Sequence, residues 1–270
     1  MTAKIFQTFR ELRDDLGKID ASFAYIALSL KHLDYSASQS ANRLNFLEEV
    51  AERHSIRVLL QNDDDPQKNV YFSAAVAVHS EWDRFLFGLM DELSDFNYEP
   101  IDKGRRRDGE SRLAFFLRSM KVIAPNKLDE LPQPLIELCE YLRLLRNYYA
   151  HRLTTPQKEC VELFNKISKK INTWPSKFGN LKFSSECCQP AFDDVLILTI
   201  AVKLLAEEIC TRLAPVPDVL LEHPATKDFI AREKSPMPES RFQLFLNDRF
   251  GLDRITANQL SKKLVNKALV

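Results

Sequence analysis

Glycine is scarce in this chain: 6 of 270 residues, roughly 2% against about 7% in average proteins. Folds that need glycines at fixed places are thereby disfavoured, among them the Rossmann turn, the P-loop and the turn-rich β-sandwich. There is no excess of charge of either sign, with 38 Lys plus Arg against 38 Asp plus Glu. That excludes a generally basic nucleic-acid coat and an acidic solvating segment, though not a local basic patch. Long apolar runs are missing too. The best one, Val195 to Leu205, is interrupted by Lys203, so no membrane span is expected. The first twenty residues carry a charge every few positions and no signal-type apolar stretch. A soluble, cytoplasmic protein is expected.

The five cysteines, Cys139, Cys160, Cys187, Cys188 and Cys210, are odd in number and include no CxxC. Neither a disulfide framework nor a zinc ribbon fits that pattern, and reduced, mostly buried thiols are expected. The histidines His32, His54 and His223 have no ligand-type spacing. No metal and no cofactor are expected.

What is present is helical period. Ile5, Phe9, Leu12, Leu16 and Ile19 recur at three- and four-residue steps, with a second apolar stretch from Phe23 to Leu33 and a continuation through Leu44, Leu47 and Val50. Asp63, Asp64, Asp65 and Pro66 read as an acidic loop. Val76, Trp82, Phe85, Leu86, Leu89 and Leu93 give one face of a long segment from 70 to 96. Leu113 to Val122 is a short helix stopped by Pro125. A helix starting near Pro134 runs about four turns to Tyr149. Val161, Phe164, Ile167 and Ile171 form the next stripe, residues 176 to 190 read as irregular, and Asp193 to Leu213 reads as a buried helix. Two short helices are expected near 240–250 and 255–268. No strand of period two is visible. The chain reads as all-α, with an N-terminal helical extension over 1–69, a helical core over 70–213 and a C-terminal helical extension over 214–270.

The segment Leu142-Arg143-Leu144-Leu145-Arg146-Asn147-Tyr148-Tyr149-Ala150-His151-Arg152 carries the most chemistry. Asn147 and His151 are four apart, about 40° on a helix, and Arg143 lies one turn before Asn147. Arg146 and His151 are five apart, roughly 140° around an ideal helix. Leu142, Leu145 and Tyr149 supply the opposing apolar stripe. Without a metal, RNA can be cut by its own 2′-OH, a group DNA lacks. A histidine can move that proton, and an arginine fork can hold the charge of a pentacoordinate phosphorus. Asn147 can orient His151 or bind phosphate. The same residues also suit the solvated end of a helix.

Arg146-Asn147-Tyr148-Tyr149-Ala150-His151 resembles the R-x4-6-H motif of the HEPN domains, in the form with Asn after Arg. The resemblance covers about residues 70 to 213. It implies a HEPN-like helical bundle that forms a homodimer, and a metal-independent endoribonuclease site built on Arg146, Asn147 and His151. It further implies a toxin or antiviral defence effector that cleaves RNA, with an antitoxin or regulatory protein as a partner. An acidic residue found two after the histidine in some members is Leu153 here. On the preceding helix, Glu81 in Val78-His79-Ser80-Glu81-Trp82-Asp83-Arg84 is a candidate to hold Arg146, or is an ordinary exposed acid; Arg143 is a second supporting candidate.

Residues 102 to 121 form the clearest basic patch, with seven cationic side chains against three acidic ones. Arg105, Arg106 and Arg107 either hold an RNA backbone or line a solvated loop. The rival to a nuclease is a non-catalytic helical module that binds a partner protein or a nucleotide through the same groove.

Overall fold

In the computed structural model the chain is all-α. The structure describes residues 3–56, 66–96, 98, 106–151, 153, 155–171, 174–216, 218–232 and 238–268. After a short 3₁₀ turn (Ala3–Ile5) come α1 (Gln7–Ser38), α2 (Arg43–Arg53), α3 (Pro66–Asp95), α4 (Arg112–Ile123), α5 (Gln133–Ala150) and α6 (Lys158–Ile171). They are followed by α7 (Pro175–Phe178), α8 (Phe192–Leu213), α9 (Val219–Glu222), α10 (Pro224–Arg232), α11 (Glu239–Phe250) and α12 (Arg254–Ala268). Among the described residues there is no strand, and no helix is long and apolar enough to cross a membrane.

Two apolar stretches expected near the start are one helix: α1 runs unbroken for 32 residues. Nothing within it stops the hydrogen-bond ladder. Gly17 costs some stability in a helix but does not break one. The acidic stretch Asp63 to Asp65 lies outside the described residues, and Pro66 opens α3, where a missing amide hydrogen does no harm. α6 buries Phe164, Ile167 and Ile171 of its predicted stripe, but Val161 is exposed and Cys160 takes the buried position at the start of that face. The stretch expected to be irregular after Trp174 contains the single turn α7 and then a loop from Leu181 to Ala191.

The chain packs as two compact units. The first comprises 1–16, 79–143 and 200–270. Its buried side chains include Phe6, Phe9, Trp82, Phe85, Leu86, Leu89, Phe116, Leu142, Leu205, Ile209, Phe242 and Phe250; full burial of such a group contributes about 1.5–3 kcal/mol. The free amides at the start of α1 are satisfied by a side chain from α3. Glu92 accepts from the Gln7 amide at 2.6 Å, the Thr8 amide at 3.0 Å and the Thr8 hydroxyl at 2.7 Å. α1 and α3 approach so closely here that a Cβ on Gly88 would lie 2.8 Å from Thr8 Cγ2. α11 ends at Gly251, whose φ of +59° is left-handed and whose added Cβ would meet the Lys4 carbonyl at 2.9 Å.

The second unit comprises 17–78 and 144–199. Phe23 stacks on Phe192 with centroids 5.0 Å apart and meets Tyr71 edge-on at 5.7 Å. Ala27, Ala74 and Val195 complete that cluster. Elsewhere in this unit Phe164 stacks on Phe183 at 5.4 Å, fastening α6 to the loop after α7. Cys139 and Cys210 of the first unit, and Cys160 and Cys188 of the second, are buried; Cys187 is half-buried, and all five are thiols.

Candidate functional site

The motif residues occupy the last two turns of α5 and the turn after it, all within the second unit. Helix α5 is specified by Leu135, Leu138, Leu142 and Leu145, all buried at three- and four-residue spacing. The helix closes with the His151 amide donating to the Asn147 carbonyl at 3.0 Å and the Leu153 amide to the Tyr148 carbonyl at 3.1 Å. These bonds satisfy carbonyls that a helix end leaves open.

Arg146 and Asn147 are half-buried and joined: Arg146 Nη1 donates to Asn147 Oδ1 at 3.1 Å. His151 is exposed, and among the described residues no hydrogen bond or ion pair engages its ring. The arrangement is thus a tethered guanidinium and amide, with an open imidazole one turn further on. Tyr149 lies half-buried and stacks on Phe72 at 4.8 Å with the rings 9° from parallel. Its neighbour Tyr148 meets the same ring at 6.0 Å. Both tyrosines pack the end of α5 against α3, and so hold the polar face in place.

The supporting candidates have other partners. Arg143 Nε donates to Glu140 at 2.8 Å, and the Ser111 hydroxyl donates to that same carboxylate. Ser111 also caps α4, accepting from the Ala114 amide at 3.0 Å. Glu81 belongs to the first unit, where it pairs with Arg84 at 2.5 Å, and Arg84 also pairs with Asp15. Both supporting candidates are therefore paired within the first unit.

Of the basic patch, Arg105 lies outside the described residues, and Arg106 and Arg107 are exposed. The acid that follows them is already engaged. Glu110 accepts from Arg118 Nε at 2.8 Å and Nη2 at 2.9 Å, and from the Arg107 amide at 3.0 Å. The Arg118 hydrogen bonds first, and then the Arg107 amide, hold its carboxyl down at about 2, so it stays ionised beside Arg118.

Three cysteines form a second cluster that spacing does not reveal. Cys160 on α6 lies 3.5 Å from Cys188 and 3.8 Å from Cys187, sulfur to sulfur, and Cys187 lies 3.8 Å from Cys188. The loop bearing Cys187 and Cys188 is tied to the start of α8. Asp193 accepts from the Lys182 amide at 3.0 Å, and Asp194 from the Ser184 amide at 2.7 Å and the Ala191 amide at 2.6 Å. Burial pushes the Asp194 carboxyl up to about 6, against the pull of those two amides. Cys188 has a φ of +56°, a conformation that costs roughly 1–2 kcal/mol for a residue with a side chain. The Cys188 thiol is pushed far up, by its hydrogen bond to Cys160 and by burial. Burial, and then the neighbouring cysteines, also raise the Tyr148 hydroxyl. The doublet Cys187-Cys188 was the visible signal; its partner is 27 and 28 residues away and only folding brings it in.

No protein-family model, curated protein or solved structure matches this chain.

Proposed function

We propose that the chain is a metal-independent endoribonuclease of HEPN type, whose site is the polar face at the end of α5. The observation that carries this reading is the Arg146–Asn147 hydrogen bond at 3.1 Å beside an exposed His151 one turn away. His151 takes the proton of the attacking 2′-OH. The 2′-oxygen then bonds to phosphorus, and the bond to the 5′-oxygen breaks. The leaving oxygen takes a proton from a second acid, for which His151 of the partner subunit stands across a two-fold axis. Arg146 holds the charge that builds on the non-bridging oxygens, and Asn147 fixes the guanidinium that does so.

A homodimer suits this reading, because one Arg–Asn–His face is sparse and a second copy doubles its proton-transfer groups. Toxin or antiviral effector, acting in the cytoplasm under an antitoxin or regulatory protein, is the role that follows from the motif. The test is end chemistry: the RNA products should carry 2′,3′-cyclic phosphate and 5′-hydroxyl ends, and a substrate with deoxyribose at the cut position should resist. Cleavage of the deoxy substrate would remove the 2′-OH mechanism.

A partner-binding module is the second reading, and one feature favours it. In the second unit Ile19, Phe23, Ile26, Val70, Ala74 and Ala77 line an open apolar groove of about 450 Å³. Beyond it on α1, Tyr25, Leu28 and Tyr35 are exposed by 74%, 67% and 66%. Apolar surface gathered on one helix is a common mark of a protein interface.

A further inference from the structure

We propose that Cys160, Cys187 and Cys188 bind one zinc ion as a three-thiolate site with an open fourth position. The three sulfurs form a triangle with sides of 3.5, 3.8 and 3.8 Å. A zinc–sulfur bond of about 2.3 Å in a tetrahedron places ligand sulfurs about 3.8 Å apart. The sulfurs thus already stand at three corners of the polyhedron the ion requires. A disulfide joins two of three sulfurs, at about 2 Å, and leaves the third without a role.

The loop around them is organised as a ligand loop. Asp193 and Asp194 fix it to α8 through three backbone amides. The Ser184 hydroxyl binds back within it, donating to the Gln189 carbonyl at 3.0 Å. Cys188 holds a left-handed backbone that turns its sulfur toward Cys160. Such strain at a non-glycine residue concentrates at functional positions. Phe164, one turn after Cys160, stacks on Phe183, which fixes α6 against the segment leading into the loop. Cys160 and Cys188 are buried, while Cys187 is half-buried, so the ion enters, and its fourth ligand exchanges, from the Cys187 side.

Binding is balanced without redox change. Three S–H protons pass to solvent, three Zn–S bonds form, and water fills the fourth position. Soft thiolate donors select zinc over magnesium or calcium. Burial raises the Cys139 and Cys210 thiols well above their ordinary value, and neither joins the cluster. They serve as internal controls. The site is independent of the nuclease reading, and no step of RNA cleavage runs through it.

The test uses the full chain, purified under a non-thiol reductant and titrated with zinc chloride and, separately, cobalt chloride. The expected result is about one zinc per chain after desalting. With cobalt, thiolate-to-metal absorption in the near ultraviolet and strong tetrahedral bands in the red should appear. Cys187→Ser, at the half-buried position, should lose that signature while keeping its helical circular dichroism; Cys160→Ser should lose it as well. Cys139→Ser and Cys210→Ser should retain full stoichiometry. Absence of bound zinc and of tetrahedral cobalt bands in the folded wild type would overturn the proposal. So would equal binding by Cys187→Ser, or a Cys160–Cys188 disulfide that forms in air and is the sole change the cluster undergoes.

Discussion

Arg146 Nη1 donates to Asn147 Oδ1 at 3.1 Å, so the guanidinium is held by the residue next to it in sequence. One charged fork and one amide are thereby set as a unit at the end of α5. Asn147→Ala should release the guanidinium without unfolding the helix. A hydrogen bond to a charged group contributes about 1.5–3 kcal/mol, so RNA cleavage should fall by about ten- to a hundredfold. The measurement is single-turnover cleavage with the melting temperature recorded alongside; unchanged cleavage would free Asn147 of any positioning role.

Tyr149 behaves as a packing residue through its stack on Phe72. Tyr149→Ala should lower stability by about 2–3 kcal/mol, less than for a fully buried aromatic because the ring is half-exposed. A double-mutant cycle with Phe72→Ala in urea should give a coupling of about 0.5–1.5 kcal/mol. Additive losses would place the stabilisation elsewhere.

The sign of one pH effect is fixed by Asp194. Its folded-state carboxyl is raised to about 6 by burial, above an unfolded value of about 3.9. The folded state therefore binds the extra proton between about pH 4 and pH 6, and this group's contribution to stability is present below that window and lost as pH rises through it. Comparison of wild type with Asp194→Asn by thermal melts from pH 4 to 8 reads it directly. The difference between the two should move in the variant's favour as pH rises; a difference that is flat with pH would contradict the raised value.

Arg106 and Arg107 are exposed, and the nearby acid Glu110 is committed to Arg118. Replacing Arg105, Arg106 and Arg107 together should weaken RNA binding and flatten its salt dependence, by about one unit of log–log slope for each phosphate no longer neutralised. Folding should hardly change. The readout is fluorescence anisotropy with labelled RNA across a salt series, and an unchanged slope would make this a solvated loop.

Much of the fold was legible because helices announce themselves by period. Phe164, Ile167 and Ile171 and the apolar face from Trp82 to Leu93 fell where three- and four-residue spacing put them, whereas Val161 is exposed and Cys160, one residue earlier, is the buried side chain. The continuity of α1 was not legible, since polar residues between Ile19 and Phe23 and an internal Gly17 mimic a break that the backbone ladder passes through. In the site, the neighbouring Arg146 and Asn147 were readable from sequence, and the structure adds the bond between them. The thiol cluster was not readable. Absence of CxxC argues against a ribbon, yet Cys160 and the Cys187-Cys188 pair meet through the packing of α6 against the loop that precedes α8. Glu81 and Arg143 take partners three residues away, Arg84 and Glu140, and what was hidden is the second contact of each partner, because Asp15 and Ser111 come from distant parts of the chain.

The most direct measurement is cleavage of total RNA by the purified protein in excess EDTA, comparing wild type with Arg146→Ala and His151→Ala at matched fold. The wild type should cut in the presence of the chelator. Each variant should lose at least about a hundredfold in rate, the usual scale for removing a general acid–base or a charge-stabilising group, while keeping its oligomeric state and melting temperature. A wild type that leaves RNA intact, or folded Arg146→Ala and His151→Ala variants that cut at the full rate, would contradict the assignment of the α5 face as a ribonuclease site.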